Sequence, residues 1–395
     1  MLISLERPGA LQLKTLPPLA LYVHIPWCVR KCPYCDFNSH ERSGALPETE
    51  YVEALFRDLE ALLPKVWSRR VSSVFIGGGT PSLFSPESID RLLGGVRARL
   101  PIDPQAEITL EANPGAVEAA RFKGFREAGV NRISVGVQSL DDRMLKALGR
   151  IHGAEEARRA VGAALASFDN VNLDIMYGLP GQTLEMARAD LAQAIALGTP
   201  HVSAYQLTIE PNTAFFSRPP PLPEHDVSAD MQLAAEALLC ASGFEHYETS
   251  AFARPGRRSR HNLNYWQFGD YLGIGAGAHG KISFAERITR HSRIKQPREY
   301  LAAEDSLVED REVPVDEVPF EFALNALRLT DGFPPGLFAE RTGLPLSNLE
   351  SALQRAEEKG LLERDWQRIR PTARGRLFLN ELLALFLAGE SKDRG

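Results

Sequence analysis

Tyr22-Val23-His24-Ile25-Pro26-Trp27-Cys28-Val29-Arg30-Lys31-Cys32-Pro33-Tyr34-Cys35-Asp36-Phe37 joins an extended apolar run to a loop carrying three cysteines within eight residues. Residues 20–25 are aromatic, aliphatic and β-branched, as a buried strand requires, so the CxxxCxxC loop leaves directly from a strand end. A four-iron cluster normally takes four cysteine thiolates. Three thiolates this close can hold three irons and leave the fourth open, where an amine and a carboxylate of a small ligand can chelate. Two other readings use the same residues. A structural zinc site would recruit His24, His40 or Asp36 as its fourth ligand, although zinc ligands usually come as two separated pairs. Disulfides or plain core cysteines are the third reading.

Outward from this stretch, short strand-like runs (20–25, 71–76, 107–110, 132–137, 171–177 and 201–208) alternate with helical patterns (48–63, 86–100, 117–128, 154–168, 183–197 and 227–242). Such alternation implies βα units and a parallel sheet. Six units predict an α/β chain built as a partial, open (β/α)6 TIM-like barrel, with a doubly wound sheet as the second choice. In both, functional groups collect at the ends of strands. Residues 1–250 are read as the barrel, and 251–313 as an irregular segment packed on it. Residues 314–395 form a small, mostly helical, winged-helix-like domain, with helices over 318–329, 336–342 and 345–359, a wing over 361–371 and a last amphipathic helix over 377–388.

The 395 residues are 44% hydrophobic and 24% charged, with a formal net charge of -6, an ordinary soluble balance that argues against binding dominated by nucleic-acid phosphates. The C-terminal 317–395 likewise sets 11 Lys/Arg against 12 Asp/Glu. A docking or lid role is expected there rather than DNA reading. Residues 1–8 lack the basic and apolar pattern of a secretory signal, and no apolar run reaches the roughly 18 residues of a membrane span. Three of only four cysteines are clustered, which fits metal or catalysis in a reducing compartment.

The YxHIPxCxxxCxxC pattern of residues 22–35 resembles the radical S-adenosylmethionine (SAM) superfamily, and within it the branch of HemN, the anaerobic coproporphyrinogen III oxidases, and HemW, the haem chaperones. The resemblance runs through nearly the whole chain. It implies a [4Fe-4S] cluster on Cys28, Cys32 and Cys35, SAM on the open iron, and a low-potential electron donor such as a flavodoxin. Gly77-Gly78-Gly79-Thr80-Pro81 follows the second strand, where glycines let a ligand approach the backbone. No Gly-Lys-Ser/Thr follows, so it is not a P-loop. Glu111, Gln138 and Asp174 lie in or end later strands, and Arg150 follows. A buried carboxylate needs a partner, which ribose hydroxyls would supply, and a guanidinium suits a carboxylate. Matched to the family, Tyr22, Gly78, Gly79, Thr80, Glu111, Gln138, Arg150 and Asp174 become the SAM contacts. Barrel arginines are the alternative partners of Glu111 and Asp174.

Two departures separate this chain from the oxidase pattern. Phe37 stands where a further cysteine is found, and only about twenty residues precede Tyr22. His261-Asn262-Leu263-Asn264-Tyr265-Trp266 fits HNxxYW, a signature of the haem-chaperone side of the branch. Imidazole is a common axial haem ligand. His261 is therefore expected to ligate haem, Tyr265 and Trp266 to flank it, and Arg254, Arg257, Arg258 and Arg260 to meet its propionates. A packed aromatic patch beside a solvated face is the competing reading. The Gly273–Gly280 run imitates a dinucleotide fingerprint without its βαβ context, and is expected to bring backbone close to a ligand pocket. The expected function is cytoplasmic haem transfer to acceptor haemoproteins, including respiratory ones at the membrane. The alternative is oxygen-independent coproporphyrinogen III oxidation, and a zinc-stabilised interaction protein is the third.

Overall fold

A computed structural model describes residues 11–387; the N-terminal pattern at 1–8 and the end of the last expected helix at 388 lie outside the described residues. Six parallel strands follow one another in space as in sequence: β1 Leu19–Ile25, β2 Val71–Gly78, β3 Ile102–Ala112, β4 Arg132–Gln138, β5 Val171–Tyr177 and β6 His201–Gln206. Helices α1 Glu48–Leu62, α2 Pro86–Arg99, α3 Ala116–Glu127, α4 Ala154–Ser167, α5 Leu184–Ala196 and α6 His225–Ala241 alternate with or follow them. This is the open six-unit barrel expected from the alternation. Helix starts follow local chemistry. The Ser85 and Thr183 side chains accept from backbone N–H groups three residues on and cap α2 and α5.

The strand period of two divides the sheet into unlike faces. Val23 and Ile25 of β1, Val74 and Ile76 of β2, Leu110 of β3, Val135 of β4, Leu173 of β5 and Val202 of β6 join the helices in the main apolar core. Residues of opposite parity on these strands are largely polar, among them His24, Glu111, Ser134, Gln138, Asp174 and Ser203. They face one another in a hydrogen-bonded inner layer: the Asn172 amide donates to Ser134 Oγ (2.7 Å) and Asp174 Oδ1 (2.9 Å), and Ser203 Oγ donates to Asn172 Oδ1 (3.0 Å). The helices thus cover the apolar face and leave the polar face for chemistry.

Residues 251–313, expected to be irregular, instead extend the sheet. The strands β7 Glu245–Glu248 and β8 Ala251–Ala253 continue it antiparallel beyond β6. On the other side β9 Asp270–Ile274 pairs parallel with β1, and β10 His279–Ser283, β11 Ile288–Arg293 and β12 Leu307–Glu312 continue antiparallel. The sheet has twelve strands among the described residues. Charged residues at buried positions hid these strands from a hydrophobicity reading. Asp270 is fully buried between Lys281 (2.9 Å) and Arg69 (2.8 Å), and Asp58 pairs with buried Arg293 at 2.7 Å. The outermost strand, β12, is exposed and charged, which discourages further edge pairing.

The helix α7 Arg260–Trp266 sits between the barrel and the C-terminal unit. That unit comprises α8 Val318–Ala326, α9 Pro335–Thr342, α10 Ser347–Glu358 and the two-stranded wing β13 Leu362–Arg364 and β14 Ile369–Pro371, followed by short helices. A second apolar core holds it together around Phe322, Phe333 and Phe338 and includes Leu11, Leu13 and Phe268, so the start of the described chain is part of it.

Burial pushes the Asp270 carboxyl up, but Lys281, Arg69 and the Ser283 N–H outweigh it and hold the carboxyl below the usual range. A depressed folded value stabilises the protein above the unfolded carboxylate pKa and loses that contribution as pH falls through the folded value. Asp270→Ala, which strands Lys281, is expected to cost about 3–5 kcal/mol in urea unfolding at neutral pH. The difference from wild type should shrink as the pH falls through the Asp270 value. An unchanged midpoint at neutral pH would contradict this.

Candidate functional site

The cysteine loop is anchored by backbone at both ends. Gly79 N–H donates to the Ile25 carbonyl and Thr80 N–H to the Trp27 carbonyl, each at 2.8 Å. His40 N–H donates to Pro26 O (2.7 Å) and Arg42 N–H to Cys28 O (2.9 Å), closing the loop on itself. Such close approach demands glycine at two positions. A Cβ on Gly79 would lie 2.6 Å from the Trp27 carbonyl oxygen, and one on Gly78, whose φ is +119°, would lie 2.7 Å from the His24 ring.

Each thiol has its own polar neighbour. Thr80 Oγ1 donates to Cys28 Sγ (3.6 Å), an Arg150 N–H donates to Cys32 Sγ (3.4 Å), and Ser39 Oγ lies 3.5 Å from Cys35 Sγ. Burial pushes the Cys28 thiol up to about 11 and also raises Cys35. Metal loading therefore displaces protons from these sulfurs, and the hydroxyl and guanidinium donors stabilise the resulting thiolate charge.

Two of the three residues offered as a fourth zinc ligand are already engaged. Both His24 ring nitrogens are engaged, one with Tyr22 OH (2.9 Å) and one with the Asn38 carbonyl (2.8 Å). His40 Nε2 meets Asn38 Oδ1 at 3.1 Å. Among the described residues, no group of three or more His, Cys, Asp or Glu converges on a single-ion position. The disulfide reading does not match this arrangement, in which all four cysteines are free thiols.

The three cysteines open onto a cavity of about 960 Å³ at the carboxyl ends of β2 to β6. Seven of the eight residues expected to contact SAM line it: Gly78, Gly79, Thr80, Glu111, Gln138, Arg150 and Asp174. Tyr22 does not; it faces a neighbouring cavity with His24 and Tyr265. Burial and the nearby Asp174 charge push the Glu111 carboxyl up to about 8, against the Gly78 N–H that donates to it at 3.0 Å. Burial also raises Asp174, despite hydrogen bonds from Asn172 and Ser134. Among the described residues neither carboxylate forms a direct arginine ion pair, although the Arg132 charge of β4 favours the ionised form of both. Two confined carboxylates with spare acceptor capacity fit the hydroxyls and ammonium of a polar ligand.

Several lining residues escaped the sequence reading. Asn113 donates to Thr80 Oγ1 and accepts from Arg150, both at 2.7 Å, and Arg150 also donates to the Gly136 carbonyl at 2.7 Å. Arg150 thus links the cysteine loop to β4. Tyr205 OH donates to Gln138 Oε1 (2.7 Å), holding a non-glycine residue at φ +71°, the kind of backbone strain that collects at functional sites. The signal for Ser134 and Tyr205 was their strand parity, shared with Gln138 and Asp174.

The HNxxYW segment does not form one site. His261 is 1% exposed, with its ring stacked on Phe75 and Nδ1 at 3.0 Å from Ser73 Oγ, low in the barrel rather than at its rim. Its backbone N–H donates to Glu107, and burial beside Arg132 pulls its imidazole down to about 3. Nε2 has no hydrogen-bond partner but is enclosed, with Tyr265 edge-on at 4.9 Å. Trp266 turns toward Arg328 of the C-terminal unit (4.3 Å), while Tyr265 reaches the cavity beside Tyr22. The arginines also diverge. Arg254 covers Phe244, Arg258 pairs with Glu245 and Asp331, and Arg260 donates to the Gln105 carbonyl. The expectation of one haem platform from His261, Trp266 and these arginines does not match this arrangement, because the helical period points the motif's rings in different directions.

The profile of the Radical SAM superfamily matches residues 22–194, and that of the HemN C-terminal domain matches 313–378. The Escherichia coli protein named heme chaperone HemW is 52% identical over 378 residues, covering 94% of this chain and 99% of that one. The chain belongs to the HemW family of radical SAM proteins. A Bacillus subtilis protein of the same name is 35% identical, covering 93% and 98% of the two chains. A solved structure of E. coli coproporphyrinogen III oxidase, HemN, superposes with a TM-score of 0.80 at 24% identity over 94% of this chain and 90% of its own, which shows a shared fold. Radical SAM membership implies a [4Fe-4S] cluster and SAM for this HemW-family chain. The residues present fit both: three separately supported thiols, and a polar cavity beside them.

Cys32→Ala and Cys35→Ala are each expected to strip most iron and sulfide from anaerobically reconstituted protein. Gly79→Ala should lower iron content with every cysteine intact, by levering the loop from β2. Wild-type iron content in Cys32→Ala would refute the three-thiolate site.

Proposed function

We propose that this chain binds a [4Fe-4S] cluster on Cys28, Cys32 and Cys35, binds SAM in the adjoining cavity, and acts as a haem chaperone that delivers haem to acceptor haemoproteins. The observation that carries the haem reading is the 52% identity, end to end, with a protein named as a heme chaperone. Phe37, where the oxidase pattern has a further cysteine, argues in the same direction.

When bound, a reduced cluster supplies an electron to the SAM sulfonium, and we assign the donor as a flavodoxin-like protein. The chain's own residues do the positioning. Gly78 and Gly79 leave room for the ligand against the backbone. Glu111 and Asp174 accept from its hydroxyls or ammonium, and Gln138 is held by Tyr205 where it can reach the same ligand. Arg150 offers positive charge for a carboxylate while bracing Cys32. Acceptors at the respiratory membrane and a cytoplasmic location belong to this proposal. Among the described residues, no helix is long and apolar enough to cross a membrane.

Because burial and Asp174 push the Glu111 carboxyl up to about 8, and an ionised carboxylate accepts more strongly from hydroxyls than a protonated one, SAM affinity should tighten as pH rises from 7 to 9. Glu111→Gln should flatten that dependence in calorimetric titrations of cluster-loaded protein. For function, reduced reconstituted protein is incubated anaerobically with SAM and coproporphyrinogen III, and separately titrated with haem. The expected result is a Soret-active complex and no protoporphyrinogen. Turnover to protoporphyrinogen would replace this reading with the oxidase.

A further inference from the structure

Beside the SAM cavity lies a second, wider one of about 1280 Å³, open to solvent and sharing Cys35 and Phe37 with the first. The HNxxYW expectation does not account for its contents. His279, the first residue of β10, is exposed and lines it. Unlike those of His24 and His40, its imidazole makes no hydrogen bond among the described residues, while its backbone pairs with Ser292 of β11. Tyr265 and Tyr271, packed edge to face at 4.4 Å, form one wall, and Phe37, 63% exposed, forms part of another. Exposed Lys31 and Lys295 lie on the rim with Asp36 as the one acidic residue of the lining.

The glycine run before His279 explains how this residue arrives there. Gly275 (φ +103°) and Gly277 (φ +78°) turn the chain so tightly that Cβ atoms would meet the His24 carbonyl and the Asn38 side chain. Asn38, from the cysteine loop, donates to the Ala276 carbonyl (2.9 Å) and the Lys295 carbonyl (2.8 Å). The cluster loop and the His279 turn therefore share one hinge-point residue, and the second cavity is built against the first.

We propose that this cavity is the haem seat and that His279, not His261, supplies an axial ligand to the haem iron. The inference rests on the haem-chaperone reading above. An unengaged imidazole is a common haem ligand. Tyrosine and phenylalanine rings suit an apolar macrocycle, and two lysines suit two propionates. Burial and Lys295 hold the His279 imidazole below its usual range, favouring the neutral form that coordinates metal. His261 lacks such access, being enclosed between Phe75 and Tyr265.

The test is haem titration of the full-length, cluster-loaded protein, read by Soret absorption and by EPR of the ferric complex. His279→Ala is expected to weaken haem binding by about tenfold or more and to shift the Soret band, with added imidazole restoring the wild-type spectrum. His261→Asn, which keeps a polar atom toward Ser73, should bind haem as wild type does. Lys31→Glu with Lys295→Glu should weaken binding without changing the ligand spectrum. Wild-type affinity and spectrum in His279→Ala, with haem still bound by the parent protein, overturns the seat and leaves the chaperone reading standing. Absence of haem binding by the parent protein overturns both. Iron and SAM content of each variant establishes that it folded.

Discussion

The approach of the Gly78-Gly79-Thr80 turn to the backbone of residues 25–27 is the contact on which the rest depends. Two 2.8 Å hydrogen bonds join the end of β2 to the start of the cysteine loop, and no side chain larger than hydrogen fits at Gly79. Thr80, placed by the same turn, reaches both Cys28 and Asn113. Thiol loop, ligand floor and the β3 end are thereby held as one rigid unit. A loop bearing three metal ligands on its own would lose conformational freedom at each of them on binding; here the sheet has already removed it.

Around that unit the barrel distributes polar and apolar groups by strand parity. The apolar residues of β1 to β6 meet the helices, and the polar ones meet each other across the inner face. Burying Glu111 and Asp174 together is costly, and the raised carboxyl of Glu111 records that cost. The site keeps a strained, partly unsatisfied interior while stability comes from the outer core, and from paired buried charges such as Asp270 with Lys281 and Arg69. That division separates the residues that stabilise the fold from those that meet a ligand.

Much of this could be read in the chain itself. Strand–helix alternation predicted six units, the cysteine spacing and GGGTP stood out directly after the first two strands, and Glu111, Gln138, Arg150 and Asp174 were recognised by matching to the family. The strands between 251 and 313 were not, because Asp270, Lys281, Arg290 and Arg293 break the apolar pattern and are neutralised by one another across the sheet or by distant residues such as Arg69, Glu321 and Asp58. Tyr22 was placed with the SAM contacts by motif matching, yet its ring turns to the second cavity.

The amino-acid sequence by itself determined the parallel barrel, the three-thiol loop and the strand ends that surround it, since these follow from local periodicity and spacing. Tertiary structure alone decided which histidine is open and which is enclosed. His261 and His279 look equally available in the chain. The first is sealed by Phe75 from β2 and by Tyr265, and the second is lifted to a cavity rim by a glycine turn packed against β1. Accessibility of a ligand atom depends on neighbours distant in sequence, and no local pattern encodes them.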